Sequence, residues 1–268
     1  MLVLDNVTKS FGGNRAVDGI TAHIQRGKIT GLIGPNGAGK TTLFNLLAGA
    51  VPLTSGSVRL DGRPIGRQRA DQVFDAGLAR TFQIPRPFPE MTVLENVMLA
   101  PRHQTGESFW ANWLTPERVA AEELKVRERA LHWLNFVGID ALAGEAARVL
   151  SGGQRKLLEL ARVMVSEPKI VLLDEPGAGV NPALLDVIVD RIRVLHQQGI
   201  TFFIIEHNMD LVASLCDPVM VMAQGKLLVS GRADVVLNDP RVVEAYLGGS
   251  EMPVPTAQPE PPPVEALA

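Results

Sequence analysis

The sequence has little of several features that would each point to one class of protein. Its 268 residues include one cysteine, Cys216, which excludes an internal disulfide and favours a reducing compartment. No apolar run approaches the roughly 18 residues that a helix needs to cross a bilayer, and the N-terminal residues lack the pattern of a signal peptide. We therefore expect a cytoplasmic protein that reaches a membrane only through a partner.

The sequence also lacks an excess of positive charge. The formal net charge is −3 and the isoelectric point is near 6.0, so there is no electrostatic reason to expect nucleic acid as a partner. Hydrophobic residues make up 46% and charged residues 21%, which is the composition of a globular protein. The length suits one large domain, or a core with a subdomain.

The string GPNGAGKTT at residues 34–42 fits the phosphate-binding loop pattern G-x-x-x-x-G-K-[ST]. A strand-like segment at residues 29–33 precedes it, and a helix-like segment at residues 40–48 follows, with Gly49 at the expected helix end. Glycines let backbone N–H groups converge on phosphate oxygens, while Lys40 would reach the β and γ phosphates and Thr41 would hold Mg²⁺. The predicted nucleotide-binding residues are Gly34, Pro35, Asn36, Gly37, Ala38, Gly39, Lys40, Thr41 and Thr42.

Around this loop the chain is organised in three parts. Short strands are predicted at residues 2–4, 21–24 and 58–60, with turns at Gly12-Gly13 and Ser55-Gly56. From Thr92 the pattern becomes helical, with a Thr92/Glu95 capping box and a long helix at residues 115–137. Residues 170–173 and 201–205 then read as buried parallel strands, joined by a helix that starts at Asn181-Pro182 and stops before Gly199.

The last residues, 250–268, differ from the rest of the chain. They contain six prolines and little that could form a core, which predicts a disordered tail. A PxxP site for a partner is the alternative.

A second segment has the features of a phosphate-binding helix start. Ser151 and Gln154 form a capping box, and Gly152 and Gly153 between them would expose backbone N–H groups to an anion. One nucleotide does not need two such sites from the same chain. We therefore expect this segment to contact a nucleotide held by another subunit.

This segment, LSGGQ, lies about 110 residues after the phosphate loop and about 20 before an apolar strand that ends in Asp-Glu. It looks like the signature of ABC-type ATPases, and residues 169–175 resemble their Walker B strand. The resemblance extends to about Gly248. It implies an α/β fold, a P-loop NTPase core of ABC type with an antiparallel β subdomain and a helical subdomain at about residues 90–165, within an ATPase domain at residues 1–249. It also implies ATP and Mg²⁺ as cofactors.

The resemblance assigns roles where the residues match. Phe11 resembles the aromatic that stacks on adenine, an ordinary buried aromatic being the alternative. Gln83 looks like the Q-loop glutamine, which contacts Mg²⁺ and water and senses the membrane partner. Asp174 would position Mg²⁺, Glu175 would polarise the attacking water, and His207 resembles the H-loop histidine that orients the γ-phosphate. The implied catalytic set is Lys40, Gln83, Glu175 and His207, and the metal set is Thr41, Gln83 and Asp174.

One residue departs from the family pattern. Asn181 stands where the D-loop usually has aspartate. As a helix N-cap, asparagine replaces aspartate with little loss. As a contact across a dimer it lacks the charge, which affects the expected coupling between two ATP sites.

Finer detail points to one kind of transporter. Residues 79–97 are similar to ATPases of branched-chain amino-acid importers, and residues 101–115 with Asn181-Pro182 resemble the larger ATPase of such systems. Alternating prolines at residues 85–89 would hold the chain extended and present Ile84, Phe88 and Met91 to a permease helix. Covering the helical subdomain is the alternative role of these three residues.

The leading hypothesis is a cytoplasmic ATPase subunit on the inner face of the membrane that powers an amino-acid importer. Its expected partners are a second ATPase (a paralogue or a second copy), membrane permeases and, indirectly, a solute-binding protein. The alternatives are a urea or amide importer, a lipid or polysaccharide exporter, a soluble ABC ATPase acting on DNA or ribosomes, and a non-hydrolysing regulatory subunit. An intact set of Lys40, Glu175 and His207 argues against the last.

Overall fold

The computed structural model describes residues 1–81, 85–102, 113 and 115–247. Four strands near the N-terminus form an antiparallel sheet in the order β2-β1-β4-β5. Their bounds are β1 (Leu2–Phe11), β2 (Asn14–Ile24), β4 (Ser55–Leu60) and β5 (Arg63–Pro64). The three predicted strands are confirmed and each is longer than expected.

The predicted turn at Gly12-Gly13 is confirmed, and the one at Ser55-Gly56 is wrong. Ser55 and Gly56 begin β4, where Ser55 pairs with Thr8 of β1. Gly56 has φ +88°, and a Cβ there would lie 2.2 Å from the carbonyl oxygen of Asn6. The glycine is therefore needed for the close approach of two strands, which has the same sequence signal as a turn.

A second sheet has six strands in the order β10-β9-β3-β8-β7-β6. All neighbouring pairs are parallel except β9 with β10, which is an antiparallel edge. The predicted strands at residues 29–33, 170–173 and 201–205 are confirmed. The bounds are β3 (Ile29–Ile33), β6 (Leu78–Arg80), β7 (Ile170–Asp174), β8 (Thr201–Ile205), β9 (Val219–Ala223) and β10 (Lys226–Gly231).

The central strands are buried on both faces because each face packs on a different core. On β8, Phe202 and Ile204 belong to the core shared with the helical layer, and Phe203 and Ile205 belong to the core shared with the antiparallel sheet. The period of two residues along a strand separates the two sets. An unbroken apolar run is the sequence consequence of this double burial.

Nine helices of at least four residues occur in the described part of the chain. They are α1 (Lys40–Leu47), α2 (Ala70–Asp75), α3 (Val93–Met98), α4 (Pro116–Val137), α5 (Gly152–Met164), α6 (Pro182–Gln197), α7 (Met209–Leu215), α8 (Ala233–Val236) and α9 (Pro240–Leu247). Two single turns of 3₁₀ helix, Asp140–Leu142 and Ala147–Val149, lie between α4 and α5.

The predicted helix starts at Thr92 and Asn181 are confirmed by capping bonds, whereas α4 begins as predicted after Thr115 without a side-chain capping bond. The Glu95 amide donates to Thr92 Oγ1 at 3.1 Å and the Thr92 amide to Glu95 Oε2 at 2.7 Å. Asn181 Oδ1 accepts from the Leu184 amide at 2.9 Å, and Pro182 follows as the first helical residue of α6. Short polar side chains and proline thus set these boundaries locally.

The helices α3, α4 and α5 pack together and fix where α5 begins. The buried face of α4 repeats every three to four residues at Val126, Ala130, Leu134 and Val137. These side chains share one core with the apolar face of α5. Among the described residues, no helix is long and apolar enough to cross a membrane, and the predicted tail at residues 250–268 lies outside them.

Candidate functional site

The loop at residues 34–42 joins β3 to α1, as predicted, and two of its glycines are required by sterics. Gly34 has φ +149°, and a Cβ there would lie 2.0 Å from the carbonyl oxygen of Met222. Gly39 has φ +97°, and its Cβ would lie 2.2 Å from the carbonyl oxygen of Ala16. Only glycine fits where the loop passes this close to neighbouring backbone. The loop therefore bends back so that α1 points its N-terminus at the site.

Lys40, the first residue of α1, is buried inside this loop. Its Nζ donates to the carbonyl oxygens of Gly34 at 2.6 Å and Pro35 at 3.0 Å. Burial lowers the pKa of Lys40, while the nearby carboxylates of Glu175 and Asp174 act in the opposite direction. The ammonium group thus lies between the loop and the end of β7.

An open cavity of about 490 Å³ lies over the loop. Residues 36–42, including Thr41, form one side of it, and Glu175 and His207 form another. Residues 14–16 of β2 and residues 224–225 between β9 and β10 complete the wall. The structure therefore brings together the phosphate loop and two of the residues to which catalytic roles were assigned.

Glu175 directly follows β7 and has an unusual backbone. Its φ is +51°, and its amide donates to the carbonyl oxygen of Ile205 at 3.0 Å. Its carboxylate contacts His207, whose Nε2 lies 2.9 Å from Glu175 Oε1. Left-handed backbone at a residue with a Cβ is disfavoured and concentrates at functional sites. The geometry places a carboxylate and an imidazole together on the cavity wall.

Asp174, the last residue of β7, is held by an arginine that the sequence analysis did not assign to the site. Arg80 Nη2 lies 2.8 Å from Asp174 Oδ2, and both side chains are largely buried. The other end of the guanidinium donates to Asn45 Oδ1 of α1. Arg80 therefore connects β6, β7 and the helix after the phosphate loop. Its position next to Thr-Phe-Gln was visible in the sequence, but no local signal gives an arginine this role.

Glu206 is a second residue that sequence reasoning missed. Its Oε1 accepts from the Gly177 amide at 2.8 Å, and its Oε2 accepts from the His207 amide at 3.1 Å. The buried carboxylate holds the segment after Glu175 to the segment after β8. It fixes the relative position of Glu175 and His207.

The segment at residues 151–154 starts α5 with the predicted capping box. The Ser151 amide donates to Gln154 Oε1 at 2.9 Å and the Gln154 amide to Ser151 Oγ at 3.3 Å. Gly152 is exposed with open space around it, as an anion site needs. Gly153 has a different reason to be glycine, because a Cβ there would lie 2.0 Å from Leu184 Cδ2 of α6. None of residues 151–154 lines the cavity over the phosphate loop.

Of the other predicted site residues, Phe11 lies away from the cavity and Gln83 lies outside the described residues. Phe11 ends β1 with 51% of its surface exposed, so the alternative of an ordinary buried aromatic is wrong. Its ring contacts Lys9 and does not line the cavity. Gln83 lies outside the described residues, as does Ile84 of the predicted docking segment.

The C-terminal elements support the phosphate loop from behind. The Gly225 amide donates to the Ala38 carbonyl at 3.0 Å. Tyr246 of α9 faces the backbone of Gly34, and burial raises the pKa of its hydroxyl to about 12. That hydroxyl has no well-formed hydrogen bond to any described residue. These contacts join residues far apart in the chain, and no sequence motif predicted them.

The described residues contain no group of three or more His, Cys, Asp or Glu side chains that could hold a metal ion. Thr41 on the cavity wall and Asp174 near Lys40 do offer oxygen atoms, the ligand type that Mg²⁺ prefers. Of these two residues only Thr41 lines the cavity over the phosphate loop, whereas Asp174 is buried against Arg80.

This arrangement of sheets, helical layer and phosphate loop is that of an ATP-binding cassette, a P-loop ATPase unit. The family model described as ABC transporter matches residues 17–178. A second model, described as branched-chain amino acid ATP-binding cassette transporter, matches residues 226–251. The chain belongs to the ABC transporter family, whose ATP-binding domain binds nucleotide and powers transport.

Curated relatives and solved structures agree with this membership. The chain is 39% identical over 254 residues to the probable branched-chain amino acid transport ATP-binding protein LivG of Archaeoglobus fulgidus, covering 94% of this chain and 96% of the relative. It is 38% identical over 251 residues to the high-affinity branched-chain amino acid transport ATP-binding protein BraF of Pseudomonas aeruginosa, covering 92% and 98%. A crystal structure of a nucleotide-free ATP-binding cassette from an ABC transporter matches with a TM-score of 0.80 and 38% identity, covering 92% and 98%.

Proposed function

We propose that this chain is the ATP-hydrolysing subunit that energises import of branched-chain or related amino acids through a membrane transporter. The observation that carries this proposal is the match of residues 226–251 to the branched-chain amino acid cassette model. The same residues include α9, whose Tyr246 faces the backbone of Gly34 in the phosphate loop. The names of the relatives from Archaeoglobus and Pseudomonas support the same solute class.

The active unit in this proposal is a pair of cassettes, formed with a paralogue or a second copy. Residues 151–154 do not line the cavity of their own chain, yet they expose a helix N-terminus at Gly152. A helix N-terminus with open N–H groups attracts anions. Each cassette would therefore present these residues to the nucleotide of the other, arranged head to tail.

The hydrolysis step uses residues that the structure brings to one wall. Glu175 accepts the proton of the attacking water, whose oxygen forms the new bond to the γ-phosphorus as the bond to the β-γ bridging oxygen breaks. His207, in contact with Glu175, orients the transferred group. Lys40 leaves its loop carbonyls to stabilise the phosphoryl charge. The products are ADP and phosphate.

Mg²⁺ belongs to this proposal as a partner of the nucleotide. Thr41 and Asp174 would hold it, with Gln83 as a further contact. When bound, the ion neutralises charge on the β and γ phosphates. Asp174 is paired with Arg80, which also contacts Asn45 of α1, so the carboxylate is held in place beside this helix.

The membrane partner is proposed to bind a patch formed by Phe88, Met91 and Val149, which we call the docking patch. Phe88 and Val149 are about half exposed, at 51% and 58%. The Arg148 amide donates to the Pro89 carbonyl at 3.1 Å, which holds the two segments of the patch together. Sequence reasoning named Phe88 and Met91 and missed Val149. A permease helix with an apolar face fits this surface, on the inner face of the membrane.

The transport assay that tests the proposal uses the chain co-purified with its membrane and binding subunits in vesicles loaded with ATP. Radiolabelled leucine, urea and a lipid substrate are offered separately. ATP-dependent uptake of leucine with no urea uptake is expected. Uptake of urea alone would assign the chain to an amide importer, and outward lipid movement would overturn import.

The first prediction concerns Glu175. Because it is the proposed general base, Glu175→Gln should lower turnover in the assembled complex by about 10²–10⁴. ATP binding, measured with a fluorescent analogue, should stay within about twofold because the carboxylate is not a main binding group. Native-like hydrolysis by this variant would remove Glu175 from its role.

A further inference from the structure

Lys156 lies at the start of α5 and contacts the chain segment that carries Glu175. Its Nζ donates to the carbonyl oxygen of Glu175 at 2.7 Å and to that of Pro176 at 3.1 Å. None of the roles derived above uses this lysine. Its side chain directly links the helix that begins with residues 151–154 to the residue proposed to activate water.

The contact falls on a part of the backbone that has a disfavoured conformation. Glu175 has φ +51°, a conformation that is disfavoured for a residue with a Cβ. Its amide is held by the carbonyl oxygen of Ile205, and its carboxylate by His207. The carbonyl accepts from Lys156 Nζ at 2.7 Å and also from the Ala178 amide at 3.1 Å. Together these contacts fix the peptide planes on both sides of Glu175 and so the direction of its side chain.

The surrounding charges favour the ammonium group at this place. Burial lowers the pKa of Lys156, and the carboxylates of Glu206 and Glu159 are the largest influences in the opposite direction. Glu206 itself accepts from the Gly177 and His207 amides. The Lys156 ammonium therefore holds two carbonyls of the segment after β7, and the Glu206 carboxylate holds the Gly177 amide of the same segment. An apolar side chain at position 156 could not hold these carbonyls.

We propose that Lys156 is a positioning residue that fixes the backbone of Glu175, so that the start of α5 and the hydrolytic carboxylate move as one unit. This inference rests on the proposed function, which makes Glu175 the general base and residues 151–154 the contact with the other subunit's nucleotide. When the start of α5 in one cassette contacts the nucleotide of the other, the position of Glu175 in the first cassette then changes with it. The two ATP sites are coupled through one side chain.

The test measures ATP hydrolysis by the complex co-purified from the full chain and its partners. Lys156→Met should lower kcat about 5- to 30-fold, the upper part of the range for coupling residues. The KM for ATP should stay within about twofold because no phosphate contact is lost. Lys156→Arg, which keeps a cationic donor, should recover activity to within about threefold of the native complex.

Two further variants separate positioning from general damage. Arg129→Met removes a cationic donor of α4 that contacts the other end of α5, where Arg129 Nη2 donates to the Val165 carbonyl at 3.3 Å and Nη1 pairs with Glu167. It should change kcat less than about twofold. The double variant E175Q/K156M should hydrolyse ATP as slowly as E175Q alone, to within about twofold, because Lys156 acts only through Glu175. Thermal unfolding midpoints of all variants verify that they fold.

The outcomes distinguish the inference from the function on which it rests. If E175Q is inactive while K156M hydrolyses ATP normally, the positioning role is wrong. The positioning role is also wrong if adding K156M to E175Q lowers kcat by the same factor as K156M does in the native protein. It is wrong as well if Arg129→Met lowers kcat as much as K156M. If E175Q hydrolyses ATP normally, the proposed function itself fails.

Discussion

At the scale of single residues, the main feature beside the phosphate loop is the buried ion pair between Arg80 and Asp174. The side chain of Asp174 is 2% exposed and that of Arg80 is 11% exposed, with 2.8 Å between their nearest atoms. A buried pair of this kind adds little net stability, but removing one member leaves the other charge without compensation. The pair therefore matters because it fixes the direction of the carboxylate.

Arg80→Met should lower the free energy of unfolding by about 3–5 kcal/mol, because Asp174 is left as a buried charge. The double variant R80M/D174N should recover about half of this loss, since the charge is then removed as well. Urea unfolding of the three proteins measures both values. A double variant that is less stable than R80M would show that charge burial is not the cause.

Two glycines of the phosphate loop allow the cost of a close backbone contact to be separated from the cost of a positive φ. Gly34 and Gly37 both have positive φ, but a Cβ on Gly34 would meet the carbonyl oxygen of Met222 at 2.0 Å while Gly37 has open space. Gly37→Ala should cost about 1 kcal/mol of stability from backbone strain, and Gly34→Ala about 2–4 kcal/mol from strain and overpacking. Thermal unfolding gives the order. Equal losses would mean that the contact with Met222 relaxes freely.

Short polar side chains set the helix boundaries at the scale of elements. Thr92, Ser151 and Asn181 each accept a hydrogen bond from an amide in the first turn of the following helix. These bonds are local, so the sequence predicted all three. At the start of α5, Gly152 next to the capping residue is exposed. The same helix start that the cap defines is therefore the one proposed to contact a nucleotide.

Substitutions at Asn181 distinguish the effect of the helix N-cap bond on stability from the effect of adding a negative charge. Asn181→Ala should lower stability by about 1 kcal/mol through loss of the bond from the Leu184 amide, whereas Asn181→Asp should be nearly neutral. The midpoint of urea unfolding measures both. If Asn181→Asp is as destabilising as Asn181→Ala, the cap is not the source of stability.

For the whole molecule, function depends on surfaces that this chain does not complete alone. The docking patch combines two exposed apolar side chains, Phe88 and Val149, with the partly exposed Met91, and residues 151–154 at the start of α5 do not line the cavity of their own chain. Both features fit the proposed subunit, which would transmit ATP hydrolysis to its partners. The antiparallel sheet and the C-terminal elements hold the phosphate loop between them.

Phe88→Ser should reduce ATP-dependent leucine uptake by about 10-fold or more, because a buried aromatic anchor in an interface is commonly worth about 2 kcal/mol. Leu124→Ser on α4 changes another exposed apolar side chain, 63% exposed, and should leave uptake unchanged. ATP binding should be unchanged in both. Equal uptake by both variants would exclude Phe88 from the permease contact.

The sequence by itself determined the parts of this protein that depend on local chemistry. The phosphate loop, the three capping residues and the unbroken apolar strands follow from sterics, short-range hydrogen bonds and burial on two faces. The family resemblance added the ABC type of the fold. Ser55-Gly56 failed as a turn because positive φ alone does not distinguish a turn from a close strand contact.

Only the tertiary structure decided which distant residues complete the site. Arg80 reaches Asp174 across two neighbouring strands, and Glu206 and Lys156 reach the segment around Glu175 from another strand and from α5. Tyr246 reaches Gly34 from the other end of the chain. Each contact depends on sheet order and helix packing, which bring together residues whose separation in sequence carries no signal. The phosphate loop could therefore be predicted from the sequence, whereas the side chains that hold Asp174 and Glu175 in place could not.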